Sequence, residues 1–325
     1  MDLGPLIVDI AGTELSKEDA ELLMHPMIGG VVLFSRNYVS KSQLKSLTLQ
    51  IKKLTRKNSL LICVDHEGGR IQRFEKDFTK LPSLQSFGDE WKSNDSRSIS
   101  LALQKAFDAS KILASELKEV GIDFSFTPVL DINWGKSVVI GDRSISIDPY
   151  IVFSVATMIV NGLRSQGMKN CGKHYPGHGW AQADSHLDKV IDNRNLTKIY
   201  ETDLLPYRML SKLNILDSIM PAHVIYSQVD SKPAGFSEVW LNDVLKKQIK
   251  FDGLIISDDL SMKAAELYGS VLDRVQLCFK AGCDSILLCN DRKSVVKVLD
   301  EYLDTFSQLK SRKNLKSLQS LKPIF

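Results

Sequence analysis

Leu60-Leu61-Ile62-Cys63-Val64-Asp65-His66-Glu67-Gly68-Gly69-Arg70 is an apolar run that ends in an acid, an imidazole and a second acid, with a guanidinium beyond two glycines. A run this short without polar alternation reads as a strand buried on both faces, as in a parallel sheet covered by helices. The polar residues after it fall at its C-terminal end. The same order recurs along the chain. Pro5–Ile10, Gly29–Phe34, Ile122–Val129, Met168–Lys173, Ser218–Met220, Gly253–Ile256 and Asp284–Cys289 are further strand-like runs, and chemistry-bearing side chains follow several of them.

Helical patterns fill most of the gaps. Ser16 with Asp19 opens a short helix. Val39, Ser40, Gln43 and Leu44 have the spacing of a staple and capping box for a second helix ending near Arg56. Ile99, Leu103, Ala106, Ser110, Leu113, Leu117 and Val120 form one stripe. Asp148-Pro149 is a cap and first-turn pair, and Ser237–Ile249 and Ser270–Ala281 are helical. Thr197–Leu213 is expected to break at Pro206, and Thr79–Arg97 reads as a loop with Trp91 tucked inward.

Eight strands alternating with helices predict an α/β chain folded as a single (β/α)8 TIM-type barrel. Asp65, Arg143, Lys173, His223 and Asp258 all follow strand-like runs, which is the catalytic face of such a barrel. A doubly wound nucleotide-binding sheet would need a G-x-G-x-x-G or phosphate loop, and serine acyl transfer a G-x-S-x-G; none is present.

At 325 residues and 43% hydrophobic content the chain can bury one large core, and we expect a single domain over 1–325, with 301–325 a basic helical C-terminal segment. The net charge is only +3, and that terminal segment carries the excess, which argues against a nucleic-acid groove. Five cysteines without a C-x-x-C pair suggest no disulfide framework. No apolar stretch approaches membrane-spanning length and the N-terminus lacks a signal pattern, so the expected location is the cytoplasm.

The densest chemistry lies in Gly172–His186, G-K-H-Y-P-G-H-G-W-A-Q-A-D-S-H. Asp184, two residues before His186, can fix the imidazole tautomer and raise its basicity, as a general acid or base requires. His174, His178 and His186 with Asp184 would also make an acceptable zinc set, although no H-E-x-x-H is present. Gly172, Gly177 and Gly179 suggest a mobile loop that closes for chemistry.

Several long motifs, in fixed order over nearly the whole chain, carry a resemblance. They are Asp9-Ile10-Ala11-Gly12-Thr13, Gly29 to Tyr38, D-H-E-G-G-R-I-Q-R from Asp65, K-H-Y-P-G-H-G from Lys173, D-S-H from Asp184 and S-D-D-L-S-M from Ser257. Together they resemble the bacterial single-domain β-N-acetylglucosaminidases of glycoside hydrolase family 3, with His66 standing where glutamine is usual. The resemblance implies a retaining exo-glycosidase of the peptidoglycan-recycling type, acting as a monomer on nonreducing N-acetylglucosamine of a muropeptide, without a cofactor, a metal or a nucleic-acid or membrane partner. It assigns Asp258 as nucleophile, with Asp259 as the fallback, His186 as acid/base and Asp184 as its orienting partner. Asp65, Arg73, Arg143, Lys173 and His174 would grip the terminal sugar, Arg73 and Arg143 through bidentate contacts, with Glu67, His178 and His223 in support. The competing readings are phosphorolysis on the same fold, a metal-dependent hydrolase using the His174/His178/His186 cluster, and a noncatalytic glycan-binding barrel.

Overall fold

The computed structural model describes residues 3–54, 59–92, 95–184, 189–310 and 316–323, with backbone alone for 182–184 and 302–310. Eight parallel strands form the barrel: β1 Leu6–Asp9, β2 Ile28–Leu33, β3 Leu61–Val64, β4 Phe124–Ser125, β5 Cys171–Tyr175, β6 Ser218–Pro221, β7 Leu254–Ile255 and β8 Ile286–Leu288. β8, β1, β2, β3 and β4 pair in that order, as do β7, β6 and β5. Bridges Val129↔Lys173 and Ile256↔Ser285 join the two sets and close the ring.

The side chains divide as a strand's period of two requires. Leu6, Val8, Ile62 and Val64 pack outward with the helices. Ile7, Leu61, Cys63, Cys171, Leu254 and Ile256 belong to a second cluster that fills the barrel. Both faces are therefore buried, which is why the strands read as unbroken apolar runs. The same alternation carries the inward face from Cys63 to Asp65, from Cys171 to Lys173 and from Ile256 to Asp258. Three inward registers thus end in charge at the C-terminal mouth. Leu3, Leu318 and Leu321 join the inner cluster, and burying each leucine contributes about 2 kcal/mol.

Local signals account for most of the helices. Ser16 Oγ accepts the Asp19 amide at 3.0 Å and opens Lys17–Leu23. The striped helix is Ser96–Glu119, with Ser110 donating back to the Ala106 carbonyl. Asp148 caps Pro149–Ser165, and a full capping box opens Val271–Ala281.

Three expectations are corrected. The break in the 197–213 region falls between Leu196–Glu201 and Leu204–Lys212, so Pro206 sits in a first turn, where its missing N–H costs no helical bond. Ser40 caps Lys41–Lys52, but the Gln43 side chain accepts the Val39 amide, leaving no reciprocal box, and an exposed Val39 makes no staple. A helix, Leu84–Glu90, interrupts the expected loop, and Trp91 behind it is half-buried. The helix expected over Ser237–Ile249 is present, wound as a π-helix over Val239–Gln248.

Two antiparallel ribbons rise beyond the strand ends. One pairs His66–Gly68 with Ile71–Gln72. The other pairs Gln182–Asp184 with Lys189–Asp192, whose return strand also lies parallel to Ile225–Tyr226.

Candidate active site

The floor of the mouth is an ion array. Lys173, at 2% exposure, places Nζ 2.7 Å from Asp65 Oδ1 and 2.6 Å from Glu67 Oε1. Glu67 in turn accepts Arg143 Nε at 2.9 Å and Nη2 at 2.8 Å. Burial alone would raise the Glu67 carboxyl, but Lys173 and Arg143 outweigh it and hold the group at about 2. Burial would likewise strip the Lys173 proton, and Asp65 and Glu67 keep it on, raising the ammonium above its ordinary value. Glu67, Lys173 and Arg143 therefore stay charged at neutral pH. Arg143 spends its Nε/Nη2 fork on Glu67. Arg73 Nη2 lies 3.9 Å from Asp65 Oδ2, and its Nε is buried without a partner among the described residues.

Beside the array stands an aligned imidazole. His174 Nδ1 lies 2.7 Å from Asp131 Oδ2, and Asp131 also accepts the His174 and His178 backbone amides at 3.2 and 2.7 Å. Asp131 thus holds Nδ1, and Nε2 lies 3.5 Å from Arg143 Nη2. The His178 ring crosses that of His174 edge-on at 6.0 Å. Burial, together with His174, pushes the His178 imidazole below its ordinary value. Nδ1 of His174 is taken and Nε2 faces a guanidinium, so this imidazole is a poor metal donor. Among the described residues no group of three or more His, Cys, Asp or Glu is placed to hold a metal ion.

Asp258 follows β7, half-buried, and its Oδ1 accepts the Asp259 amide at 2.8 Å. Burial would raise this carboxyl; His223, His174, that amide and Lys173 together bring it below its ordinary value, so it is ionised at neutral pH. Asp259 is spent on structure: its oxygens accept the Ser261 amide and hydroxyl at 3.0 and 2.8 Å and the Cys289 amide at 3.1 Å. His223 Nε2 donates to the Asp259 carbonyl at 3.0 Å.

The structure thus brings Asp65, Lys173, Arg143, His174 and Asp258 to one end of the barrel, with Arg73 at the edge beside Asp65. His186 lies outside the described residues, and Asp184 is placed only by the backbone of its strand. The glycines that lead to that ribbon each meet a steric demand. A Cβ on Gly179 would fall 1.8 Å from the Ile132 carbonyl, one on Gly177 (φ +151°) 2.6 Å from Asp203 Oδ1, and one on Gly172 2.7 Å from Leu130 Cδ1.

Asp131 went unassigned in the sequence reading although it lies two residues beyond the Ile122–Val129 strand-like run, close to the kind of position that singled out Asp65. Also unread was the clamp under the ribbon: the Arg194 guanidinium holds Asp192 at 2.6 Å and Asp203 at 2.6 Å, all three buried.

A closed (β/α)8 barrel with an ionised carboxylate beside a charged array at its C-terminal mouth has the layout of a glycosidase, and the chain belongs to glycosyl hydrolase family 3, whose N-terminal domain matches residues 4–317. It is 47% identical to a β-hexosaminidase of Nitrosospira multiformis over 93% of this chain and 84% of that protein. A β-hexosaminidase of Neisseria gonorrhoeae is 47% identical over 94% of this chain and 82% of that one. Among solved structures, native NagZ of Neisseria gonorrhoeae superposes over 100% of this chain and 91% of its own with a TM-score of 0.88 at 42% identity. The same protein in complex with N-trifluoroacetyl-D-glucosamine gives a TM-score of 0.86 at 42% identity, covering 99% and 93% of the two chains.

Proposed function

We propose that the chain is a retaining exo-β-N-acetylhexosaminidase that removes nonreducing terminal N-acetylglucosamine from muropeptides or related glycans. It works in the cytoplasm as a monomer, as one catalytic barrel over 1–325 with 301–325 a basic helical end segment. No helix among the described residues is long and apolar enough to cross a membrane. The observation that carries the reading is the Asp258 carboxylate, kept ionised by its surroundings at the mouth that Asp65, Lys173 and Arg143 also line.

In this reading the sugar hydroxyls lie on Asp65, Arg73, Lys173, Arg143 and His174. Lys173 and Arg143 are fixed by Glu67 before substrate arrives, so little reorganisation accompanies binding. Asp258 attacks the anomeric carbon and forms a glycosyl ester while His186, oriented by Asp184, protonates the departing oxygen. The same imidazole then takes a proton from water as the ester is hydrolysed. Asp259, its oxygens occupied by Ser261 and Cys289, is left out of the bond changes.

The test is a set of aryl β-glycosides differing only at the sugar 2-position, run in phosphate and in an inert buffer. The N-acetylglucosaminide should be cleaved fastest and yield free sugar in both buffers. Preference for the glucoside, or a sugar 1-phosphate as main product, would contradict the reading.

A further inference from the structure

Asp131 is a fully buried carboxylate that the reaction as described does not use. Its Oδ1 accepts the His178 and His174 amides at 2.7 and 3.2 Å, and its Oδ2 faces His174 Nδ1 at 2.7 Å. Among the described residues no lysine or arginine pairs with it, so its charge is met by an imidazole and two amides. Burial would raise this carboxyl; His174 and His178 bring it below its ordinary value, and it is ionised at neutral pH.

The backbone fixes the residue as well. The Ser144 hydroxyl donates to the Asp131 carbonyl at 2.6 Å, and the Leu130 amide before it donates to the Lys173 carbonyl at 2.7 Å. Ser144 follows Arg143, and Lys173 precedes His174. Three side chains assigned to the sugar are thus tied, directly or through a chain neighbour, to one carboxylate that is itself closed to solvent. His174 Nε2 lies 3.5 Å from Arg143 Nη2. A hydrogen on Nε2 would oppose that guanidinium, which has only donors, whereas a lone pair there is compatible with it.

We propose that Asp131 is a positioning residue that acts on the sugar through His174: it fixes the plane of the imidazole and holds its hydrogen on Nδ1, which leaves Nε2 as an acceptor for a sugar hydroxyl. This rests on the hydrolase reading and deepens it by naming what sets the His174 grip. Asparagine at position 131 separates the two duties. Its carbonyl oxygen can still take both backbone amides, and its NH2 group then faces Nδ1. The imidazole must give up the Nδ1 hydrogen and carry it on Nε2 against the guanidinium. The backbone contacts are kept while the hydrogen bonding of the ring is reversed.

The experiment starts with nitrogen–hydrogen correlation spectra of the isotope-labelled free chain at neutral pH. The His174 imidazole, assigned by its loss in His174→Gln, should carry its hydrogen on Nδ1 alone, and Asp131→Asn should move that hydrogen to Nε2. A hydrogen on Nε2 in the native chain overturns the proposal whatever the variant does. In Asp131→Asn, kcat/KM for an aryl N-acetylglucosaminide should fall by about tenfold, the worth of one hydrogen bond lost to a misplaced donor, chiefly through KM. Calorimetric binding of N-acetylglucosamine should weaken by the same factor. In a His174→Ala background the same substitution should cost less than about twofold, because the ring through which Asp131 acts is gone. Equal losses in the two backgrounds would reduce Asp131 to a structural role and overturn the proposal, as would an Nδ1 hydrogen that survives in Asp131→Asn. The imidazole spectrum and sugar binding need no turnover. A chain that binds the sugar and hydrolyses nothing would contradict the hydrolase reading and leave this test intact.

Discussion

Glu67 is the most constrained residue of the site, its side chain only 1% exposed and closing bonds to both Lys173 and Arg143. Removing one partner of a buried ion group leaves the others charged and unpaired, so Glu67→Ala should destabilise the fold by about 3 kcal/mol, read as a lower urea midpoint. Lys173→Met with Glu67→Gln should recover part of that loss, because the desolvated charges disappear together; no recovery would mean the array is not one unit. His66 makes a second residue-scale prediction. Burial, with Arg73 nearby, lowers its imidazole to about 4, and the ring packs against Phe74 and Phe78. A histidine whose folded value lies below its unfolded value near 6.5 contributes stability that is complete above 6.5 and lost as pH falls toward 4. The loss across that window is on the order of 3 kcal/mol. His66→Gln should flatten that slope in denaturant titrations; an unchanged slope would place the titrating group elsewhere.

At the scale of elements, the unit that matters is the ribbon formed by Gln182–Asp184 and Lys189–Asp192. Its return strand is locked by the Asp192–Arg194–Asp203 clamp, and Tyr226 donates its hydroxyl to the Gly177 carbonyl at 2.8 Å on the outgoing side. Both flanks of the ribbon are thus anchored by buried contacts. Arg194→Ala should therefore act like a mild loss of the acid/base. We expect kcat to fall by about tenfold with a poor leaving group and less with a good phenolate, since only the former needs full protonation. Equal losses across a leaving-group series would reduce Arg194 to a stability role. This element also shows where sequence reading stops. A glycine that admits a neighbouring carbonyl, as Gly179 admits that of Ile132, is indistinguishable in sequence from a hinge. Arg194 and Asp203 meet across the short helix Leu196–Glu201, a pairing that no periodicity announces.

For the whole molecule, the barrel was legible because its strands are buried on both faces. Leu61 and Cys63 turn inward, Ile62 and Val64 outward, and the result is a run with no polar interruption until the mouth is reached. The same geometry made Asp65, Lys173 and Asp258 readable as the ends of inward registers. Asp131 escaped because regular pairing in β4 covers only Phe124–Ser125, and the chain crosses to β5 through the single bridge at Val129, so its register ends without a clear stop. Asp259 could be separated from Asp258 only by the bonds it makes to Ser261 and Cys289, which lie in different segments. The fold follows from the strand runs, whereas the supporting shell depends on contacts between distant segments.

The central claim is that Asp258 forms a glycosyl ester, and trapping that ester tests it most directly. The enzyme should be quenched during turnover of an N-acetylglucosaminide with a good leaving group, its intact mass measured, and the modified peptide sequenced. The account predicts a single N-acetylhexosaminyl adduct on Asp258 that appears within the first turnover, decays when substrate is exhausted, and is absent from Asp258→Ala. An adduct on Asp259, or rapid turnover with no adduct under conditions in which deglycosylation limits the rate, would contradict it.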